Sequence, residues 1–557
     1  MLRSRVAGSF FVRGAAALLV LWTSTGISVA AERKVLLVAA CDSYGDLKKQ
    51  LGWLGNQIDN PGLAAMLESV LLLATQGRGL AGLDVQRPLG IVVTSDGADL
   101  AVHGFVPVKD LDKLLSSLQG VTGPVEQDGA MRRVTLPSGV ELAITKKDDW
   151  AVIAPASMAA TAADPAPLLA AVAKEYTVGI DAFPSRMSDA VRKLIEAAIE
   201  QAGAASAAQG QPLDTSALKE GLAGLRQTES LSLGAAIDHE HETVFIENRS
   251  TAVPGSLSAA VLKAAAEGTL TVATPAVASG KSPAISGYAA QRVSEESRKQ
   301  FLEALDQTLP RDADDPLTKT IATLLRELLA AALSAGGIDA AIAVDTTTAT
   351  EKSPLPAVTA GVRVKDGAAL EQQVKKIFAA GNAVPAGVKV KFDTGKAGSA
   401  NLHTIVVDLG DSPAADRLGD SLDLTLAVAK DYAFLLTGGD LQQRIDAALK
   451  ASGRAVPDAK PLAGLQVAMH ELLAYAAKQG AGPLVEAAAE RAAAADASLV
   501  KLSVRPIDRG LVTRLSADPG VLKAAAALGG QAAAPVGPGG IPLPQPPAGF
   551  PIPVPTR

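Results

Sequence analysis

The sequence predicts an α+β protein in two similar halves, each with helices packed on mostly antiparallel sheets, arising from internal duplication. Three observations predict it. Segments recur at a nearly constant spacing: the apolar run from Pro61 (PGLAAMLESVLLL) and Gly82-Leu83-Asp84 return 255 residues later as the run from Pro316 (PLTKTIATLLREL) and Gly337-Ile338-Asp339. Val108-Lys109-Asp110 returns as Val364-Lys365-Asp366, and VLKAAA stands at both Val261–Ala266 and Val521–Ala526. The order of helix-period and strand-period segments is the same in both halves. Finally, 557 residues with 48% hydrophobic and 20% charged side chains are enough for two ordinary cores.

Taken in order, Lys34–Ala40 reads as a buried strand and Asp46–Gln57 as an amphipathic helix. Leu63–Ala74 is a more apolar helix, expected to be covered on most sides. Leu89–Thr94 and Leu100–Val106 form a hairpin through Ser95-Asp96-Gly97. Lys109–Leu118 is a helix with Asp110 at its positive end. Short strands follow at Arg132–Leu136, Val140–Thr145 and Trp150–Ala154, turning at Pro137-Ser138-Gly139 and Lys147-Asp148-Asp149. Helix pair, hairpin, helix and meander together mark the α+β class with antiparallel pairing.

The second half repeats this order. Arg298–Leu305 and Leu317–Leu333 are the helix pair, Ala341–Asp345 and Val358–Val364 the hairpin, and Ala369–Ala379 the next helix. Strands then follow at Val388–Phe392, His403–Val407, Leu424–Ala429 and Tyr432–Thr437. Each half closes with a helix (Ser188–Ala202; Pro483–Ala495), two strands (Ser230–Ile237 and Thr243–Asn248; Leu499–Val504 and Leu511–Ser516), a Pro-Gly turn and the VLKAAA helix. A linker-like stretch from Ala202 to Ser216 interrupts the first closing unit. That unit faintly echoes the opening one, which leaves two or four modules open.

The resulting organisation is a signal peptide over 1–30, a first α+β repeat over 31–272, a linker over 273–287, a second repeat over 288–528 and a Pro/Gly-rich disordered tail over 529–557. Arg3, Arg5 and Arg13 precede the apolar Gly14–Trp22, and Ser28-Val29-Ala30 or Val29-Ala30-Ala31 fits the cleavage rule. The competing reading, an uncleaved anchor, suffers from the Ser, Thr and Gly content of the segment. No later segment reaches transmembrane length without charge, so the mature chain is expected to be exported, periplasmic or secreted, with no transmembrane span. Cys41 is the single cysteine, which excludes an intramolecular disulfide. Val38-Ala39-Ala40-Cys41 looks like a lipobox, but Glu32-Arg33-Lys34 cuts it off from the signal's apolar run; a buried strand thiol is preferred over lipid anchoring.

A net charge of −6 without basic clusters excludes a nucleic-acid partner. Catalytic patterns fail one by one. No GxSxG elbow or HExxH occurs, and Gly280-Lys281-Ser282 lacks the phosphate-loop glycine, with Pro283 following it. Asp312, Asp314 and Asp315 lack the calcium-loop glycine and terminal glutamate. The candidate metal ligands are His239 and His241 in Asp238-His239-Glu240-His241-Glu242, which share a face if extended. The matching turn of the second half, Ile507-Asp508-Arg509-Gly510, has no histidine, so a solvated hairpin turn is the preferred reading. No cofactor is expected. The apolar helices Leu63–Ala74 and Leu317–Leu333 suit a groove for lipid or peptide, with core packing as the default.

This layout of signal peptide, duplicated α+β body and Pro-rich tail resembles that of large uncharacterised exported bacterial proteins. The resemblance rests on layout and implies no active site. The expectation is a non-enzymatic binding or structural protein of the envelope or exterior, with an unknown protein or envelope component as partner. The alternatives are a carrier of an apolar ligand in the cleft between the halves, and a hydrolase with an unrecognised site.

Overall fold

The computed structural model describes residues 33–529, except 136–140, 156–157, 159–161, 209–214, 273–282, 296–297, 300, 304–315, 350–354, 380–386, 411–414, 416–418, 454–461 and 496. The signal segment, the Pro-rich tail, the Gly280-Lys281-Ser282 motif, the Asp312–Asp315 cluster and the turn at Ser138 lie outside the described residues. The protein is α+β, as composition and periodicity predict, with a large antiparallel sheet.

The first set of elements begins with β1 (Lys34–Cys41), α1 (Tyr44–Gln57) and α2 (Leu63–Ala74). The hairpin β2 (Leu89–Ser95) and β3 (Leu100–Pro107) leads to α3 (Leu111–Thr122). Asp110 caps α3, its carboxylate accepting the Lys113 N–H at 3.0 Å, as its place in the sequence predicts. The meander is β4 (Val125–Asp128), β5 (Met131–Thr135), β6 (Glu141–Lys147) and β7 (Trp150–Ala154). Then come α4 (Pro165–Glu175), β8 (Val178–Ala182), α5 (Asp189–Ala208), α6 (Thr215–Gly224), β9 (Thr228–Asp238), β10 (Thr243–Ala252) and α7 (Leu257–Ala266). Helix α5 continues through Ala208, so helix occupies the first part of the stretch that the sequence reads as a linker from Ala202.

The second set comprises β11 (Ile285–Arg292), α8 (Pro316–Ser334), β12 (Gly337–Asp345), β13 (Ala357–Arg363), α9 (Gly367–Ala379), β14 (Val388–Ala397), β15 (Ala400–Asp408), β16 (Ser421–Val428) and β17 (Tyr432–Leu436). It ends with α10 (Leu441–Ala451), β18 (Ala463–Ala468), α11 (Met469–Lys478), α12 (Pro483–Ala493), β19 (Leu499–Ile507), β20 (Gly510–Ala517) and α13 (Pro519–Gly529). The segment Thr274–Gly287, read as a connection, runs into β11 at Ile285.

All the described strands hydrogen-bond in one antiparallel ladder. Its order is β4-β5-β6-β7-β3-β2-β1-β8-β9-β10, then β20-β19-β18-β11-β12-β13-β17-β16-β15-β14. Read outward from the β10–β20 pair, the two arms list their strands in the same relative order. The ladder from Val244↔Ala517 to Thr251↔Gly510 joins them edge to edge.

Helices cover one face of this sheet near its middle. On the β1 side, α4 lays Leu169 and Val172 over Val38, Ala40 and Phe245. Tyr176, just past α4, sits so close over Gly234 that a Cβ there would meet its Cγ at 2.1 Å. On the other side, α10 places Ile445 and Ala448 in a core with Ala341 and Phe434. Further cores form where α3 covers Val134 and Ile144 and where α8 and α9 cover Ile405 and Leu426.

Helix α2 overturns one expectation. It buries none of its residues, leaving Met66 58%, Val70 63% and Leu73 79% exposed. Its counterpart in sequence, α8, buries Leu324, Leu328, Ala332 and Leu333. The difference lies in neighbours: α8 packs against α9 and the sheet behind it, whereas α2 lies along α1, with Lys48 paired to Glu68, and its far side is left open.

Candidate functional site

The site is a face of the sheet. Along a strand, alternate side chains point to opposite faces, so directly paired residues on neighbouring strands share a face. Ile246 on β10 pairs with Leu515 on β20, Leu515 with Leu502 on β19, and Leu502 with Leu465 on β18. Leu465 then pairs with Gly287 on β11, and Gly287 with Ile342 on β12. All five large side chains of this row are exposed: Ile246 52%, Leu515 44%, Leu502 36%, Leu465 38% and Ile342 38%. Gly287 sets the spacing between two of them, since a Cβ there would meet Ile342 and Leu465 side-chain carbons at 3.3 Å.

The same face continues into the first arm. Leu233 on β9 pairs with Ile180 on β8, Ile180 with Ala39 on β1, and Ala39 with Ile91 on β2. Leu233 and Ile91 are exposed as well. From β2 to β12 this is a run of ten adjacent strands, and at ~4.8 Å per strand spacing it extends about 43 Å. Polar points on it near the seam are Asn248 and Thr513, which pair with each other, and Ser250, which pairs with Leu511. Helix α5 roofs one end, with Val191 packed on Leu36, Val93 and Val102.

The opposite face at the seam is the polar one. Glu247, 1% exposed, accepts from Tyr176 Oη at 3.1 Å and from Arg249 at 3.2 Å, and lies 2.7 Å from Arg514. Arg249 also pairs with Glu175 at 3.0 Å. Burial first, and then the Glu247 charge, push the Tyr176 phenol well above its ordinary range. At the seam, then, Glu247, Arg249 and Arg514 lie on the face that carries Phe245 and α4, while the opposite face there is mainly aliphatic and open to solvent. Exposed apolar patches shared by neighbouring strands are candidate binding surfaces.

The sequence-predicted residues lie elsewhere. His239 and His241 occupy the turn between β9 and β10. Asp238 accepts the Glu240 and His241 N–H groups at 3.1 Å each and lies 3.0 Å from His241 Nδ1, while His239 meets the Trp53 ring edge-on at 5.9 Å. Among the described residues no third ligand-bearing side chain joins the two in a cluster. Cys41 is a half-buried thiol on β1 between Val178 and Leu89, and burial, with a smaller push from Asp42, raises its pKa. Sequence reasoning missed the apolar face because alternation marks two faces without saying which one helices will cover.

Comparison with family models, with curated proteins and with solved structures yields no match, so the site is read from its own geometry.

Proposed function

We propose that this is an exported, non-enzymatic binding protein, built by internal duplication, that carries an apolar ligand on the sheet face crossing the seam between its halves. The observation that carries the reading is the row Ile246–Leu515–Leu502–Leu465, paired strand to strand and open to solvent. Its side chains are aliphatic. Protein–protein hot spots are dominated by Trp, Tyr and Arg anchors, and this row has none, which favours an acyl or similar hydrocarbon ligand over a protein partner. The ligand lies across the seam rather than in a cleft, because β10 and β20 close the halves into one sheet.

The matching strand orders of the two arms and the recurrence of Gly82-Leu83-Asp84 as Gly337-Ile338-Asp339 support duplication. The charged and apolar segments of residues 1–30 support export. Pairing of β1 on both sides at Cys41 supports a structural thiol over a lipid anchor.

The test is mass spectrometry of organic extracts from native protein, with titration of a fluorescent long-chain fatty acid. Co-purified lipid and saturable binding are expected, with binding weakened at least tenfold in Ile246→Lys/Leu515→Lys. Absence of lipid, together with equal binding by the variant, sinks the carrier reading. A second reading, contact with an envelope surface, is favoured by the exposed Met66, Val70 and Leu73 of α2. Val70→Glu/Leu73→Glu tests it: unchanged partition of the chain between membrane and soluble fractions rejects it.

A further inference from the structure

Farther along the same sheet, beneath α9, one cluster brings a histidine and two carboxylates together. Glu371 stands on α9, His403 on β15, and Asp393 in the register shift of β14, between Lys391 and Gly395. One potential ligand atom from each lies within 4.8 Å of the other two. His403 Nε2 is 3.6 Å from a Glu371 oxygen, and its Nδ1 is 4.0 Å from an Asp393 oxygen. Lys375, one turn along α9, places its ammonium 2.7 Å from Glu371 and 2.9 Å from Asp393. Asn401 Nδ2 donates to the other Glu371 oxygen at 3.0 Å.

Two observations set the cluster apart from an ordinary surface ion pair. The His403 side chain is 1% exposed, yet its Nε2 has no hydrogen-bond partner and points at Glu371. A buried imidazole nitrogen without a partner costs on the order of 1–3 kcal/mol, which a metal bond would remove. The second observation is positional. Val134 is the third residue after Met131, where β5 leaves its turn, and His403 is the third after Ala400 on β15. Leu115 and Glu371 are each the fifth residue after the aspartates Asp110 and Asp366, which cap α3 and α9. In the first half Val134 and Leu115 are packed in one apolar core. The second half puts a histidine and a glutamate in their places.

We propose that Glu371, Asp393 and His403 form a binding site for a divalent transition cation such as zinc, whose place the Lys375 ammonium holds in the metal-free chain. One imidazole and two carboxylates make a three-ligand zinc set with a fourth position left for water. The cation displaces Lys375, which swings toward solvent along an already exposed path: its side chain is 32% exposed and that of Asp393 61%. His403 must change tautomer. Its Nδ1 now accepts the Asp393 backbone N–H at 3.1 Å, so the ring proton is on Nε2. For Nε2 to bind metal the proton must sit on Nδ1, facing a carbonyl.

The backbone offers that carbonyl. Asp393 has φ +54°, an uncommon conformation for a residue other than glycine. Turning the single peptide between Phe392 and Asp393 by about 180° takes φ into the ordinary extended region. The same turn moves the N–H away from His403 and brings the Phe392 carbonyl toward Nδ1–H. A ligating histidine whose other nitrogen donates to a backbone carbonyl is the usual outer-shell arrangement.

The experiment titrates zinc chloride calorimetrically into the full chain carrying His239→Ala and His241→Ala, which removes the exposed histidine pair as a competing binder. One equivalent is expected to bind. In the same background Lys375→Met is expected to bind at least tenfold more tightly, and Glu371→Leu/His403→Val not at all, while keeping its near-ultraviolet circular dichroism. Cobalt substitution is expected to give the visible absorption of a four- or five-coordinate nitrogen and oxygen site. Absence of stoichiometric binding in both the parent and Lys375→Met overturns the site. So does binding that Glu371→Leu/His403→Val leaves unchanged.

Discussion

Glu247 on β10 faces Arg514 on β20, oxygen to guanidinium at 2.7 Å, and each is the fifth residue after a left-handed turn residue, Glu242 or Arg509. Matching positions of the two halves thus meet each other at the seam. Two identical residues there would stack like charges or leave a buried group unpaired, and opposite charges solve that problem once. Glu247 is the more deeply committed member, since Tyr176, Arg249 and Arg514 all converge on it. Glu247→Ala is expected to cost about 3 kcal/mol, as removal of one partner strands buried charge. Arg514→Met should cost less than half of that, because Arg249 remains and Arg514 is a third exposed. Thermal unfolding of both variants checks the order; equal losses would contradict it.

Tyr176 makes stability sensitive to alkali. Burial and the neighbouring Glu247 raise its pKa, so the folded chain keeps a proton that the unfolded chain releases from about pH 10. Its contribution is complete below that pH and declines as pH rises through the folded-state value. The stability of Tyr176→Phe is expected to fall less steeply above pH 10 than that of the parent. Denaturant midpoints at pH 9, 10 and 11 measure it, and parallel curves would refute the assignment.

Gly234 is small because Tyr176 lies on it. A Cβ at that position would stand 2.1 Å from the ring, so Gly234→Ala forces the ring off its seat over β9. Overpacking of this kind costs about 1–3 kcal/mol. Tyr176→Leu combined with Gly234→Ala should recover part of the loss, which a double-mutant cycle reads directly.

In chelator, Glu371→Leu/His403→Val is expected to be about 1–3 kcal/mol more stable than the parent, because a well-packed apolar pair replaces partly buried ionic groups. Added zinc should narrow that gap by stabilising the parent alone. A variant that is less stable in chelator would show that the polar cluster itself holds α9 to the sheet.

Much of the α+β pattern was legible because helix and strand periods differ and the segments recur. The run from Leu100 and the Asp110 cap announce β3 and α3 without help from tertiary contacts. Helix α4 was missed although Asp164 caps it and Pro165 opens it, because its alanines carry little periodic contrast. Strand β4 was missed because Val125-Glu126-Gln127-Asp128 shows no apolar alternation. The exposure of α2 and the outward turn of Ile246, Leu515 and Leu502 depend on which neighbours arrive, and a periodic pattern has no information about them. Likewise His403 meets Glu371 from another element, with Asp393 brought in by a strand irregularity that no local motif encodes.

The strand order has a consequence for how the molecule comes into being. Strand β10 ends at Ala252, and its partner β20 begins only at Gly510. At about 5–20 residues per second of synthesis, the first arm waits roughly 13 s or more for that partner. Throughout the wait β10 is an open edge beside an aliphatic face, a template for pairing with the wrong chain. The β19–β20 hairpin is therefore the clasp of the whole sheet, and a chain cut short before Gly510 would be left ready to join another copy of itself.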